Sequence, residues 1–252
     1  MSRWMKLNLI CFLIVVFAIA SLVYIFETTD FTGAFSKPWH LSPSIHEDSL
    51  SQEYQDHYHI YNHKPLLFHA FDSSRANVFV LVDAWGVPTQ ESSLKHEFEL
   101  FENIPHVFAL HQRLRNNNKH AEKVEFRGGP KNKIYLLGGD STEYSRPSLV
   151  KDIGFEKTLF CPKCGDEKML SKIDSLLVND THKFIAWTTQ SSRGGDRDSL
   201  HKSLKLIADF AKRRPNVRFV VQGTHRPVLV NPEIRNVYKS HWVPVVILNV
   251  NE

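Results

Sequence analysis

The sequence predicts an α/β domain, a mainly parallel β-sheet with helices on both faces, preceded by one N-terminal transmembrane helix. The domain is predicted because, from Asn77 on, short apolar runs alternate with longer segments whose apolar residues recur every three or four positions. The first run, 77–83, is apolar almost throughout, as in a central strand that is covered on both faces. The transmembrane helix is predicted because residues 7–26 contain no charged side chain.

The N-terminal segment has the length and the flanking charges of a single membrane anchor. A helix over 7–26 is about 30 Å long, which matches the hydrocarbon core of a bilayer. Charged residues flank the segment, basic before it and acidic after it: Arg3, Lys6, Glu27 and Asp30. The positive-inside rule therefore predicts a cytoplasmic N-terminus and an extracytoplasmic remainder, in the plasma membrane or a bacterial inner membrane. The run is longer than the apolar core of a signal peptide and ends without a small-residue cleavage site, which favours an uncleaved anchor.

The net charge argues against a nucleic-acid partner. The chain has 31 lysines and arginines against 27 aspartates and glutamates, a net charge of +4. Two of the basic residues, Arg3 and Lys6, belong to the N-terminal tip, so 29 against 27 leaves about +2 for the rest. A nucleic-acid binder needs a concentrated basic face. We therefore expect no nucleic-acid partner, and the predicted anchor makes the membrane an expected partner.

We divide the chain into a cytoplasmic tip with its anchor at 1–26, a stalk or lead-in at 27–72, and an extracytoplasmic domain at 73–252. The lead-in contains three prolines, several serines and no clear periodicity. Its four histidines between 57 and 69 could bind metal, but no paired cysteines or HExxH spacing accompany them. An exposed or ordinary structural role is favoured for these histidines.

The elements of the domain follow in order along the sequence. Strands are predicted at 77–83, 133–137, 183–189, 217–221 and 242–250, and helices at 166–180 and 198–214. Ligands of such sheets bind at the carboxyl ends of the strands. Asp83, 190–193 and 223–226 should therefore lie on one rim of the sheet.

Several rim residues have side chains suited to metals or anions. Asp83 is either a metal ligand or a cap for the turn that follows it. His225 and His241 could bind zinc, and Arg226 could hold two oxygens of a phosphate or sulfate. Arg193, in the glycine-containing segment 191–198, and Arg127 are further candidate anion contacts; a flexible surface loop is the alternative for the segment. These metal ligands and anion contacts are predicted only from residue type and position.

Three stretches together carry a family resemblance: NVFVLVDAWGVP from Asn77, the segment 199–227 that ends in GTHRP, and KSHWVPVVILN from Lys239. With them the chain resembles the alkaline phosphatase superfamily, more narrowly its sulfatase and phosphoethanolamine-transferase-like branch, over about 77–250. The resemblance implies a divalent metal, either zinc, manganese, calcium or magnesium. It also implies phosphoryl or sulfuryl transfer through a Ser or Thr nucleophile, on glycans or lipids of the cell envelope.

The resemblance assigns roles to individual residues and also shows departures. Asp83 matches the first metal ligand, His225 the histidine of an Asp-His pair, and His241 a late histidine. Thr224 stands where the pair has its aspartate, and no Ser or Thr occurs between Ser93 and Ser141. Two functions therefore stay open: a metal-dependent hydrolase or transferase, and a catalytically inactive relative that binds an anionic envelope ligand or a membrane partner.

The spacing of Cys161 and Cys164 fits a disulfide, two free thiols or half of a zinc site. An extracytoplasmic compartment is oxidising, which favours the disulfide.

Overall fold

The computed structural model describes residues 49–115, 117–127, 133–138, 146–161, 164–178, 184–192, 195–227, 230 and 232–250. These residues belong to one compact unit, Asp48–Glu252. The predicted anchor at 7–26 lies outside the described residues. Within the described ranges, no helix has both the length and the apolar character needed to cross a bilayer.

Strands and helices alternate along the described chain. In order they are α1 (Gln52–His57), β1 (His59–Tyr61), α2 (Leu67–Ala70), β2 (Asn77–Val82), α3 (Glu91–Phe98), a 3-10 turn (Glu99–Phe101), β3 (His106–Gln112), α4 (Asn118–Phe126), β4 (Lys133–Gly138), α5 (Arg146–Ile153), β5 (Lys157–Cys161), α6 (Asp166–Leu177), β6 (Phe184–Thr188), α7 (Arg197–Arg213), β7 (Arg218–Gly223), α8 (Pro232–Asn236) and β8 (Trp242–Leu248).

The strands form one mixed sheet in the order β1-β3-β8-β7-β2-β6-β4-β5. Five neighbouring pairs are parallel, and the two pairs that involve β8 are antiparallel. The prediction of an α/β fold with a mainly parallel sheet is confirmed, and the reversed direction of β8 is a feature that the sequence did not indicate.

Helices cover both faces of the sheet, as the apolar run at 77–83 predicted. Val78, Val80 and Val82 of β2 belong to a core cluster that includes apolar residues of α3, α6 and α7. Phe79 and Leu81 belong to a second cluster with residues of α2, α4 and α5. Because successive side chains of a strand point to opposite faces, β2 is packed on both sides. Each such buried side chain contributes about 1.5–3 kcal/mol.

The five strands predicted from the sequence all exist, with ends that differ by one or two residues. The strands β1, β3 and β5 were not predicted. In β3 the polar residues His106, His111 and Gln112 interrupt the apolar pattern, and β1 has only three residues at the sheet edge. Of the predicted lead-in, the part from Ser49 on is described, and it contains α1, β1 and α2. Tyr54 of α1 is buried, and its hydroxyl donates to the Pro88 carbonyl at 2.6 Å.

Cys161 and Cys164 form a disulfide at the end of β5. Of the three alternatives that the sequence left open, the structure confirms the disulfide.

The end of β7 passes very close to the turn after β2. The N–H of Thr224 donates to the Val82 carbonyl at 3.0 Å. A Cβ at Gly223 would lie 1.9 Å from the Trp85 carbonyl oxygen and 3.2 Å from the Pro244 ring. Only glycine fits this approach, which fixes the position of the residues that follow both strands.

We expect Gly223→Ala to lower the free energy of unfolding by about 3 kcal/mol or more, because neither a main-chain oxygen nor a proline ring can give way to the new methyl group. Urea unfolding measures this change. The matched control is Gly165→Ala, where an added Cβ meets nothing within 4 Å and only the weaker N-cap of α6 should cost about 1 kcal/mol. Equal effects of the two substitutions would contradict the close approach.

Candidate functional site

The residues after the carboxyl ends of β2, β6 and β7 meet on one rim. The strand register pairs Leu81 with Thr188 and Val82 with Gly223, so the residues that follow these positions come together. This confirms the predicted rim for Asp83, for Gln190 and for 223–226. Arg193 lies outside the described residues, and its role as an anion contact stays a prediction.

Asp83 is fixed through its main chain. Its N–H donates to the Thr189 hydroxyl at 3.0 Å, and its carbonyl accepts from the Ser192 hydroxyl at 2.6 Å. Ala84 then adopts a left-handed conformation with φ of 56°, which turns the chain sharply away from the strand. With 2% of its surface exposed, Asp83 is held rigidly by the residues that follow β6.

The carboxylate of Asp83 faces the imidazole of His225. Asp83 Oδ1 lies 3.4 Å from His225 Nε2, and both side chains are buried. The other ring nitrogen, Nδ1, lies 2.7 Å from the Arg226 carbonyl oxygen. A carbonyl oxygen only accepts, so Nδ1 carries a proton. In a neutral ring, Nε2 therefore presents a lone pair to a carboxylate, and two acceptors that face each other need a cation between or beside them.

The separation of these two atoms fits a shared metal ion better than a shared proton. A charge-assisted N–H···O bond between imidazolium and carboxylate is normally about 2.7–2.9 Å long. Two ligands that each lie about 2.0–2.1 Å from a tetrahedral zinc ion are about 3.4 Å apart. The observed distance is 3.4 Å, and a ligating histidine ordinarily donates its second ring N–H to a carbonyl or carboxylate, as His225 does.

Thr224, beside this pair, has an unsatisfied side chain. It is fully buried, and its hydroxyl has no hydrogen-bond partner within the described structure. An unsatisfied buried hydroxyl costs about 1–3 kcal/mol, and such a group is commonly explained by a water or an ion. The position thus offers a neutral oxygen where the resemblance implies a carboxylate.

The other predicted site residues are His241, Arg226 and Arg127. His241 is half-buried, and its main-chain oxygen accepts from the Arg113 N–H at 2.6 Å. Arg226 adjoins the turn after Asp83, since a Cβ at Gly86 would lie 2.6 Å from the Arg226 Cα. Arg127 is exposed after the last turn of α4. Over the described ranges, no three or more His, Cys, Asp or Glu side chains converge on a common metal position.

A buried polar cluster beneath the rim was missed by the sequence analysis. Gln222 donates to His111 Nδ1 at 2.7 Å, and His111 Nε2 lies 3.0 Å from the Lys64 carbonyl. Arg113 binds Glu125 at 2.6 Å, and the same carboxylate accepts from the Leu66 N–H at 2.8 Å. The sequence feature that could have indicated this cluster is the presence of polar residues in otherwise apolar strands, HVFALHQ and RFVVQG.

Burial sets the charges of this polar cluster. It lowers the pKa of His111 to about 3, so the ring is neutral at neutral pH. Burial also raises the pKa of Glu125, while the Arg113 guanidinium opposes that rise. A neutral His111 is what its contacts require, because Nε2–H donates to a carbonyl and Nδ1 accepts from Gln222.

The fold is similar to that of solved structures. A protein of the alkaline phosphatase superfamily from Vibrio parahaemolyticus matches with a TM-score of 0.55 and 13% identity, over 70% of this chain and 60% of that chain. The chain has the alkaline phosphatase fold. The lipoteichoic acid synthase LtaP from Listeria monocytogenes matches with a TM-score of 0.53 and 11% identity, over 70% of this chain and 65% of that chain. The chain therefore spans less than two thirds of the length of either protein.

The C-terminal periplasmic domain of EptC from Escherichia coli is similar at a TM-score of 0.47 and 12% identity, over 71% of this chain and 73% of that chain. No protein-family model matches the sequence, and no curated protein does. The two structures with TM-scores of 0.55 and 0.53 confirm the predicted resemblance at the level of the fold.

Glu97 of α3 connects the helix layer to the turn after Asp83. The Trp85 indole N–H donates to Glu97 Oε2 at 2.7 Å, and Arg197 Nη2 lies 3.7 Å from Oε1. The Glu97 side chain is nearly inaccessible, and burial raises its pKa from 4.5 to about 7. The carboxyl group therefore titrates near neutral pH in the folded protein.

We expect Glu97→Gln to remove part of the pH dependence of stability. Between about pH 4.5 and 7 the folded state binds more protons than the unfolded state, so the stability of the native protein falls as pH rises through this window. Gln keeps an acceptor for Trp85 and stays neutral, so the variant should be about 3 kcal/mol more stable than the native protein at pH 8 and similar to it at pH 4.

Thermal unfolding at the two pH values measures this difference. Glu99→Gln is the control, because Glu99 is exposed and its contact is with His96 on the surface. A Glu97→Gln variant that gains nothing at pH 8 would contradict the assigned burial.

Proposed function

We propose that this chain binds one divalent cation between Asp83 and His225 and, with it, the phosphate or sulfate group of an envelope glycan or lipid, as a metal-dependent hydrolase or transferase. One observation carries the proposal. The Nδ1 proton of His225 donates to the Arg226 carbonyl, so in a neutral ring Nε2 offers a lone pair toward Asp83 Oδ1 at 3.4 Å.

The ligand set supports a single cation rather than a pair. Asp83 supplies a negative oxygen, His225 a neutral nitrogen, and Thr224 a neutral oxygen that lacks a partner in the described structure. Remaining ligands would come from water or from the bound anion, as at open metal sites. Imidazole favours zinc over manganese, calcium and magnesium, and the 3.4 Å separation fits tetrahedral zinc. His241 remains a proposed further ligand.

A bound cation would supply charge neutralisation and polarisation of a phosphoryl or sulfuryl oxygen. The chain's own residues would position the ester. Arg226 follows His225 directly and can donate two N–H groups to anion oxygens. Thr189 and Ser192 hold the main chain of Asp83, so the carboxylate keeps its place when the anion arrives.

The proposed substrate class follows from the expected location. The anchor predicted at 7–26 would place the domain outside the cytoplasmic membrane, next to the lipids and glycans of the envelope. Similarity in fold to a lipoteichoic acid synthase supports a substrate of this kind.

A second candidate function is binding of the same anionic ligand without turnover. It is favoured by the start of α4, where Asn117 caps the helix and accepts from the His120 N–H at 2.7 Å. This helix lies in the stretch between Ser93 and Ser141 that contains no Ser or Thr. Amides are not nucleophiles, so covalent catalysis would need a hydroxyl from elsewhere.

We expect purified full-length protein to retain about one equivalent of transition metal, and Asp83→Asn and His225→Ala each to lose most of it, since the ion needs both the charged oxygen and the imidazole. Elemental analysis and the melting temperature measure the two effects. Asp209→Asn and His96→Ala are matched controls at exposed positions. Native protein without metal, or variants with a lower melting temperature and unchanged metal, would overturn the proposal.

Turnover separates the two candidate functions. Metal-loaded native protein should hydrolyse an aryl phosphate or aryl sulfate, and Asp83→Asn should lower kcat/KM by at least about a hundredfold, comparable to losing one electrostatic contact to the transition state. Metal-dependent binding of inorganic phosphate or sulfate without any turnover would instead establish the binder.

A further inference from the structure

A surface beside the rim combines exposed apolar and basic side chains. Phe68 of α2 is 71% exposed, and Leu114, which follows β3, is 62% exposed. Four basic residues are exposed in the same two segments. We call these six residues the basic-apolar surface: Lys64, Phe68, Leu114, Arg115, Lys119 and Lys123.

The polar cluster beneath holds the two segments side by side. The Lys64 carbonyl contacts His111 Nε2 at 3.0 Å, and the Leu66 N–H donates to Glu125 at 2.8 Å. Glu125 also binds Arg113, the residue before Leu114, at 2.6 Å. Phe68 and Leu114 therefore emerge from neighbouring, rigidly held backbone.

The charge of this surface has one sign. Within the described residues of 62–69 and 113–124, the acidic side chain is Glu122, which is 1% exposed and faces inward to Thr188. The basic residues lie close enough to His120 to change the pKa of its imidazole. Burial and then the charges of Arg113, Arg115 and Lys123 lower the pKa of His120 to about 4.

We propose that the basic-apolar surface docks on an anionic lipid bilayer. Exposed aromatic and aliphatic side chains flanked by lysines and arginines fit the boundary between headgroups and acyl chains, where apolar groups insert and cations meet lipid phosphates. Charge complementarity selects this occupant, because a basic surface attracts anionic lipids and is not attracted to zwitterionic ones.

Docking would place the candidate site near lipid headgroups. Leu114 follows β3, and β3 is separated from β2 by β8 and β7. Three strand spacings amount to about 14 Å, so Asp83 would lie within reach of headgroup phosphates. This link to the site rests on the proposed function, whereas the docking itself rests on the surface alone.

The experiment uses full-length protein in vesicles, with Cys11→Ser so that only an introduced cysteine is labelled, since Cys161 and Cys164 are paired. An environment-sensitive dye is attached at Phe68→Cys or Leu114→Cys. Val178→Cys, another exposed apolar position at 65% exposure, is the control. The vesicles contain phosphatidylglycerol and phosphatidylcholine in equal parts, or phosphatidylcholine alone, with a lipid that carries a doxyl quencher.

Quenching in the anionic vesicles should be at least about threefold stronger at positions 68 and 114 than at 178, and it should weaken in zwitterionic vesicles and in high salt. Arg115→Glu with Lys119→Glu should abolish the difference, whereas Lys202→Glu with Lys212→Glu, on the exposed face of α7, should leave it unchanged.

Equal quenching at all three positions would overturn the proposal, and so would quenching that ignores lipid charge. Quenching at none of the three positions would also overturn it. Asp83→Asn should retain full quenching. If the native protein shows quenching but no metal, the docking stands and the proposed function fails; if it shows metal but no quenching, the reverse holds.

Discussion

The position of one proton underlies the candidate site. Because Nδ1 of His225 donates to the next residue's carbonyl, a neutral ring turns the lone pair of Nε2 toward a carboxylate only 3.4 Å away. Both groups are buried, where water screens them poorly and two facing acceptors are costly. A shared cation removes this conflict, and the unsatisfied hydroxyl of Thr224 lies beside the same place.

The fold brings Asp83 and His225 together through its central strands. β2 lies between β6 and β7, so the residues after β2 are confined by Thr189 and Ser192 on one side and by Gly223 and Thr224 on the other. The close approach of Gly223 to the Trp85 carbonyl leaves little freedom to either chain. Gln222, the residue before Gly223, belongs to the polar cluster under the basic-apolar surface. The candidate site and the surface are therefore connected through β7.

The sequence was sufficient for the strands that are apolar throughout, because burial on both faces leaves a plain composition signal, as at 77–83. The sequence was insufficient to predict strands in which distant residues supply the hydrogen-bond partners of polar side chains. His111 is tolerated inside β3 because Gln222 and the Lys64 carbonyl occupy both ring nitrogens, and no local pattern reveals such partners. For the same reason Asp83 and His225 were candidates individually, whereas the tautomer that relates them depends on the Arg226 main chain.

Anomalous diffraction from a crystal of the native protein, recorded above and below the zinc absorption edge, tests the central claim most directly. The account predicts an anomalous peak within bonding distance, about 2.0–2.2 Å, of both Asp83 Oδ1 and His225 Nε2. A map without such a peak, in which Nε2 donates a short hydrogen bond straight to Asp83, would show an ordinary ion pair and contradict the account.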